Sequence, residues 1–258
     1  MHTPRLELRG VKKLYRSIPA VWDVSFVARA GEITGYLGAN GSGKSTTMKM
    51  VTGLIEPTSG EILFDGRPIR EDLMGYRRRM GYVPEEPHLY THLSGLEYLA
   101  MVGQLREMEA RTAAERIGGL LHLFGLHGDR EVAMSSYSKG MRQKILLSAA
   151  LMHNPEMILL DEPFSGLDVG SSLVLRSLIE ELARRGKVVL FSSHELETVE
   201  RICSHVVILH RGSVVADDSI ERLRTLMELP TLEAIFSQLA VEQDAGVISR
   251  EIADLIDA

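Results

Sequence analysis

Apolar residues alternate with polar ones in the first part of the chain, so Leu6 to Leu14 and Val21 to Ala28 each predict a strand with one covered face. Gly60 to Ile69 predicts a hairpin turning at Asp65 and Gly66. These segments make up a small β-layer. Glu32 to Leu37 is instead a continuous apolar run, the pattern of a buried strand, and Lys44 to Thr52 continues as a helix with Met48 and Val51 inward. From Leu93 to Leu126 the spacing becomes helical, with Leu96, Leu99 and Ala100 on one face and Ile117, Leu120, Leu121 and Phe124 on another. Short apolar runs return at Met157 to Asp161, Val188 to Ser192 and Val206 to His210, separated by helical stretches, as in a parallel α/β sheet. After Asp218 the pattern predicts no strand. Leu232, Ile235, Phe236 and Leu239 mark one helical face there, and Ile248, Ile252, Leu255 and Ile256 another, punctuated by Pro230 and Gly246. The expected architecture is α/β: an N-terminal antiparallel β-layer, a doubly wound parallel-sheet core, a helical subdomain over about 86–150 and a C-terminal helical appendage. Domain boundaries are expected at 1–218 and 219–258.

Composition narrows the class. The chain has 258 residues, 45% hydrophobic and 25% charged, enough for one large domain with a small appendage. A formal net charge of −6 gives no general attraction to nucleic acid, which is therefore not an expected partner. The single cysteine, Cys203, forms no internal disulfide, which fits a reducing compartment, and it reads as a small buried residue. The opening MHTPRLELRG lacks the apolar core of a secretory signal, and no segment approaches the roughly 18 apolar residues of a membrane span. Any work at a membrane is expected to be that of a peripheral subunit.

The chemistry centres on GANGSGKST, Gly38 to Thr46, which fits the phosphate-binding pattern G-x-x-x-x-G-K-[ST] between a predicted strand and a predicted helix. Glycines let successive amides line a concave anion site at a helix mouth, so a nucleoside triphosphate is the expected ligand. Lys44 is expected to reach its β- and γ-phosphates, and the Ser45 hydroxyl to coordinate Mg²⁺. In MILLDEP, Asp161 ends an apolar strand at the sheet edge and is expected to hold Mg²⁺, while Glu162, one residue on, is placed to deprotonate an attacking water. YSKGMRQK offers Ser138 and Gly140 at a helix start that can meet a phosphate, although an N-cap alone accounts for the pattern. VLFSSH ends a strand with His194 at the same edge, one of nine histidines.

Taken in order, these motifs resemble the ATP-binding cassette family over about residues 5–217. Tyr15 resembles the aromatic that stacks on adenine, Gly38 to Thr46 the Walker A loop, and Ser138 to Met141 the family signature. Leu160 to Glu162 resemble the Walker B strand with its catalytic glutamate, Ser165 to Asp168 the D-loop, and His194 the switch histidine. The resemblance implies a P-loop NTPase fold and Mg²⁺-dependent ATP hydrolysis with Glu162, His194 and Lys44 as catalytic residues. It implies ATP contacts from Tyr15, Gly38, Asn40, Gly41, Ser42, Gly43, Lys44, Ser45, Thr46, Ser138, Gly140 and Asp168. It further implies a homodimer or a paired ATP-binding subunit, because in this family the signature of one copy closes over ATP held by another. EEPHLYTHLSGLEYL and the C-terminal helices most resemble cassettes that serve separately encoded ABC-2-type permeases, commonly bacterial exporters at the cytoplasmic face of the membrane. Pro87, Leu89, Tyr90 and Leu93 would then face the permease. The alternative is a soluble, non-transport ABC ATPase, for example in Fe–S cluster assembly. Two departures stand out: Glu85 replaces the usual glutamine ahead of the helical subdomain, where its carboxylate is an expected Mg²⁺ ligand, and Lys139 and Met141 replace a glycine and a glutamine of the signature.

Overall fold

The computed structural model describes residues 5–86 and 89–240. Its first strands, β1 (Arg5–Tyr15) and β2 (Ile18–Arg29), pair antiparallel, with Leu6 opposite Ala28 and Leu8 opposite Phe26. After β3 (Ile33–Gly38) and α1 (Lys44–Val51), the hairpin β4 (Ser59–Phe64) and β5 (Arg67–Pro68) adds to the free edge of β1. Its two-residue turn has positive φ at both Asp65 (55°) and Gly66 (77°), the geometry that suits the twist of a hairpin. A short helix α2 (Leu73–Arg78) leads to β6 (Met80–Val83). The helical subdomain follows as α3 (Gly95–Leu105), α4 (Ala110–Leu123) and α5 (Lys139–Leu151). Then β7 (Met157–Asp161), α6 (Val169–Arg184), β8 (Val188–Ser193), α7 (Leu196–Ile202), β9 (His205–His210) and β10 (Ser213–Ser219) complete the core, and α8 (Ile220–Met227) and α9 (Leu232–Ala240) close it.

The β-layer is not separate from the parallel core. All ten strands form one sheet in the order β5-β4-β1-β2-β10-β9-β3-β8-β7-β6. The link is β10, antiparallel to β9 and joined to β2 at Ser213 opposite Asp23. Its sequence SVVADDS carries no fully buried residue, so periodicity alone does not mark it as a strand.

Strands β3, β7 and β8 are buried on both faces, and alternate residues serve different cores. Tyr36, Leu159, Leu190 and Leu209 point to the side covered by β1, β2 and α1, where Leu6, Phe26, Met48 and Met50 complete the packing. Leu37, Leu160, Phe191 and Ile208 point to the other side, against Leu146, Leu175, Ile179 and Val199. Leu232 and Ile235 of α9 join that second core, so the described part of the appendage rests on the cassette. The expected helical face at Ile248, Ile252, Leu255 and Ile256 lies outside the described residues. A third core holds the helical subdomain together through Leu99, Ile117, Leu121, Met134 and Ile145. Ala100, expected on the inward face of α3, is exposed; the buried line of that helix runs Gly95, Leu99 and Gly103. Cys203, expected to be buried, is half-buried and packed against the core on the α7 side, and its apolar surroundings push the thiol pKa well up. Among the described residues no helix is long and apolar enough to cross a membrane.

Candidate functional site

Parallel register brings the chemistry to one sheet edge. Leu37 of β3 lies opposite both Ser193 of β8 and Ile208 of β9, and Asp161 of β7 lies opposite Ser192. The loop after β3 is compressed at its start: a Cβ on Gly38 would stand 2.3 Å from Ser42 Oγ and 2.7 Å from the Leu209 carbonyl oxygen. Gly43, with φ 108°, is the N-cap of α1, and a Cβ there would meet the Ala20 carbonyl oxygen at 2.5 Å. No side chain caps α1, which leaves its first amides for an anion. Ser42 Oγ is buried with no hydrogen-bond partner, the kind of polar atom a bound phosphate satisfies. Lys44 is buried and donates from Nζ to the Gly38 carbonyl at 2.6 Å and the Ala39 carbonyl at 3.3 Å. Burial lowers its pKa, while the negative charges of Glu162, Asp161 and Glu85 act the other way.

Asp161 is 4% exposed and accepts a hydrogen bond from Ser192 Oγ. Glu162 is 9% exposed, takes a left-handed backbone at φ 48°, and donates its amide to the Ser192 carbonyl at 3.2 Å. One carboxylate oxygen, Oε1, stands 2.9 Å from His194 Nδ1. Burial raises the pKa of both carboxyl groups; Ser192 pulls Asp161 back down, and His194 does the same for Glu162. A carboxylate whose proton affinity is raised while it remains at the mouth of a cleft has the properties of a general base.

The cleft itself measures about 290 Å³ and is lined by Ala20, Asn40, Gly41, Gly43, Lys44, Ser45, Thr46, Glu85, Asp161, Glu162 and His194. Gly38 and Ser42 shape the loop without lining it. Tyr15, Ser138, Gly140 and Asp168 lie off its walls. Tyr15 ends β1 with about half of its surface exposed and Lys13 Nζ 5.5 Å from its ring centroid. Ser138 is the N-cap of α5, its Oγ accepting from the Met141 amide at 3.2 Å. Asp168 is the N-cap of α6 and binds the Ser171 amide at 2.8 Å and hydroxyl at 2.7 Å. Sequence reasoning missed Ser192 and Ala20. The tandem serines ahead of His194 were the available signal for the first; nothing local marks the second.

A family model described as ABC transporter matches residues 21–165. The ABC transporter ATP-binding protein NatA of Bacillus subtilis (strain 168) is 36% identical over 220 residues, covering 85% of this chain and 89% of that protein. The Nod factor export ATP-binding protein I of Cupriavidus metallidurans is 32% identical over 215 residues, covering 83% and 71%. Among solved structures, an ATP binding subunit of an ABC transporter superposes with a TM-score of 0.86 at 33% identity, covering 91% of this chain and 98% of that one. A family match across more than half of the chain, together with shared sequence and fold over most of its length, makes this chain a member of the ABC transporter family, an ATP-binding subunit.

Proposed function

We propose that this chain hydrolyses ATP with Mg²⁺ to drive export through a separately encoded membrane permease, acting as a head-to-tail dimer at the cytoplasmic face of the membrane. One observation carries the reading: the Glu162–His194 pair shares a cleft with the phosphate loop, while Ser138 and Asp168 stand outside it. A second copy can supply what the cleft lacks. Export is supported by the Nod factor export relative. Permease docking is supported by the exposed Tyr90 and half-buried Leu89 and Leu93; Pro87, expected beside them, lies outside the described residues. The cassette is taken as 1–218 and the appendage as 219–258.

In this mechanism the amides at the start of α1 bind the phosphates, and Lys44 exchanges its carbonyl partners for phosphate oxygens. The adenine stacks on Tyr15, whose exposed ring is available. Ser45 and Asp161 fit a Mg²⁺ site, with Glu85 on the same cleft wall. Among the described residues no three histidine, cysteine, aspartate or glutamate side chains form a metal cluster, which fits an ion that takes most of its ligands from phosphate and water. Bound there, Mg²⁺ would neutralise charge on the β- and γ-phosphates. Glu162 takes the proton of the attacking water, and His194 fixes the orientation of that carboxylate.

Purified chain should hydrolyse ATP in Mg²⁺ with a specific activity that rises with protein concentration, and Glu162→Gln should lower kcat at least about 100-fold, as expected for loss of a general base. An unaffected variant would remove Glu162 from the reaction. Co-isolation with a membrane permease separates transport from the work of a soluble ABC ATPase.

A further inference from the structure

Lys139 stands where the signature of related cassettes has glycine, and its contacts are specific. Its Nζ donates to Ser165 Oγ at 2.9 Å. Its stem lies along Gly166: a Cβ built there would come within 2.5 Å of Lys139 Cδ, 2.9 Å of Cε and 3.1 Å of Cγ. Gly166 has φ +77°, so the strip of backbone under the lysine is one that glycine alone forms without strain. The two loops also run close at Gly140, where an added Cβ would sit 3.5 Å from the Gly166 carbonyl oxygen. Ser165 in turn donates its amide to the Glu162 carbonyl at 3.1 Å. A short path therefore runs from Glu162, in this copy's cleft, through Ser165 and Lys139 to Ser138, which lies outside the walls of that cleft. The Ser138 end is fixed to α5, whose N-cap it forms.

We propose that Lys139 is a positioning residue that couples the two ATP sites of the dimer, locking the signature turn to the Glu162 turn through Ser165 and Gly166. This rests on the head-to-tail dimer proposed above. When Ser138 of one copy closes on ATP held by the other, the lysine carries that restraint to Ser165 and so to Glu162 of its own copy. A glycine there offers neither the ammonium nor the stem. The consequence is positive cooperativity in hydrolysis, with a link that neither touches the reacting atoms nor lines the cleft.

The test compares Lys139→Met, which keeps the stem without the ammonium, with Ser165→Ala, the double variant and Lys139→Arg. Steady-state ATP hydrolysis is measured across ATP concentration. Each single variant is expected to lower kcat about three- to tenfold, the scale of one exposed hydrogen bond, and to lower the Hill coefficient to the value that ATP-driven pairing alone gives. KM should stay within about twofold, the double variant should match the singles because both remove one link, and Lys139→Arg should restore cooperativity. Unchanged kcat and Hill coefficient, or effects that multiply in the double variant, overturn the proposal. A packing role alone would lower the melting temperature and leave the Hill coefficient unaltered, which also overturns it. Sedimentation of Glu162→Gln with ATP, with and without Lys139→Met, keeps the two ideas apart. Failure of Glu162→Gln to dimerise defeats the dimer itself, whereas dimers that form normally with unaltered cooperativity defeat the role of Lys139.

Discussion

Glu162 carries two costs at once: a left-handed backbone, and a carboxyl that burial holds against ionisation. For a residue with a Cβ the first amounts to about 1–3 kcal/mol. The second has a defined sign. A carboxyl whose folded pKa lies above its unfolded value of 4.5 supports the fold fully below that value and loses the contribution as pH rises through the folded pKa. Without nucleotide, Glu162→Gln should therefore melt at a higher temperature than the native chain at pH 7–8, with the gap closing toward pH 4. Thermal melts across that range check it, and a gap that widens on acidification would contradict it. Glu85 makes a second residue-scale case. Its charge acts on both Lys44 and Asp161, so Glu85→Gln should strengthen ATP binding in a chelator and make hydrolysis less steeply dependent on Mg²⁺. A superimposable metal titration would remove Glu85 from the metal site. The phosphate loop, Asp161, Glu162 and His194 are legible in the chain because each belongs to a short contiguous motif. Ser192 and the Lys139–Ser165 contact are not, because the first is fixed by strand register and the second joins residues 26 positions apart.

At the scale of elements, the helical subdomain is tied to the sheet where α5 runs out. His153, just beyond that helix, has Nε2 3.0 Å from the Met80 carbonyl at the start of β6, the strand that leads to Glu85. Burial, reinforced by the Arg106 charge, holds its pKa down from 6.5 to about 4. The unfolded chain takes up this proton first, so the fold should lose on the order of 1–2 kcal/mol, once solvent screening of this partly exposed ring is allowed for, as pH falls from 6.5 to 4. Denaturant melts at pH 7 and pH 4.5 should show His153→Gln losing less stability between them than the native chain. Helix α9 gives a complementary case: Ile235 is fully buried in the core on that face of the sheet, and Ile235→Ala should cost about 2–4 kcal/mol in the same melts. A loss below about 0.5 kcal/mol would mean that the appendage is not part of the cassette's core. The face of α9 is plain in the sequence because Leu232, Ile235, Phe236 and Leu239 repeat at helical spacing. Its docking site is not, and neither is β10, whose half-exposed residues follow neither period and whose join to β2 spans most of the chain.

At the scale of the molecule, each chain offers one phosphate-loop cleft and one signature turn, and the two do not meet within a single copy. Two copies related by a two-fold axis would complete two sites together, which makes the interface isologous and makes ATP part of it. Ligand that binds the paired state more tightly than the single copy drives pairing by mass action, and hydrolysis then removes the ligand that holds the pair. Blocking the chemical step without displacing ATP should thus accumulate the dimer. Glu162→Gln preserves side-chain volume and removes the charge that would take the water's proton, so it should sediment as a dimer in saturating Mg²⁺-ATP and as a monomer with ADP or no nucleotide. Adding Ser138→Arg, which puts bulk at the signature turn while leaving the cleft of its own copy intact, should return it to a monomer that still binds ATP. If Glu162→Gln binds ATP without hydrolysing it and remains monomeric at every concentration, the second half of each site comes from a different chain; if it still hydrolyses ATP, Glu162 is not the base.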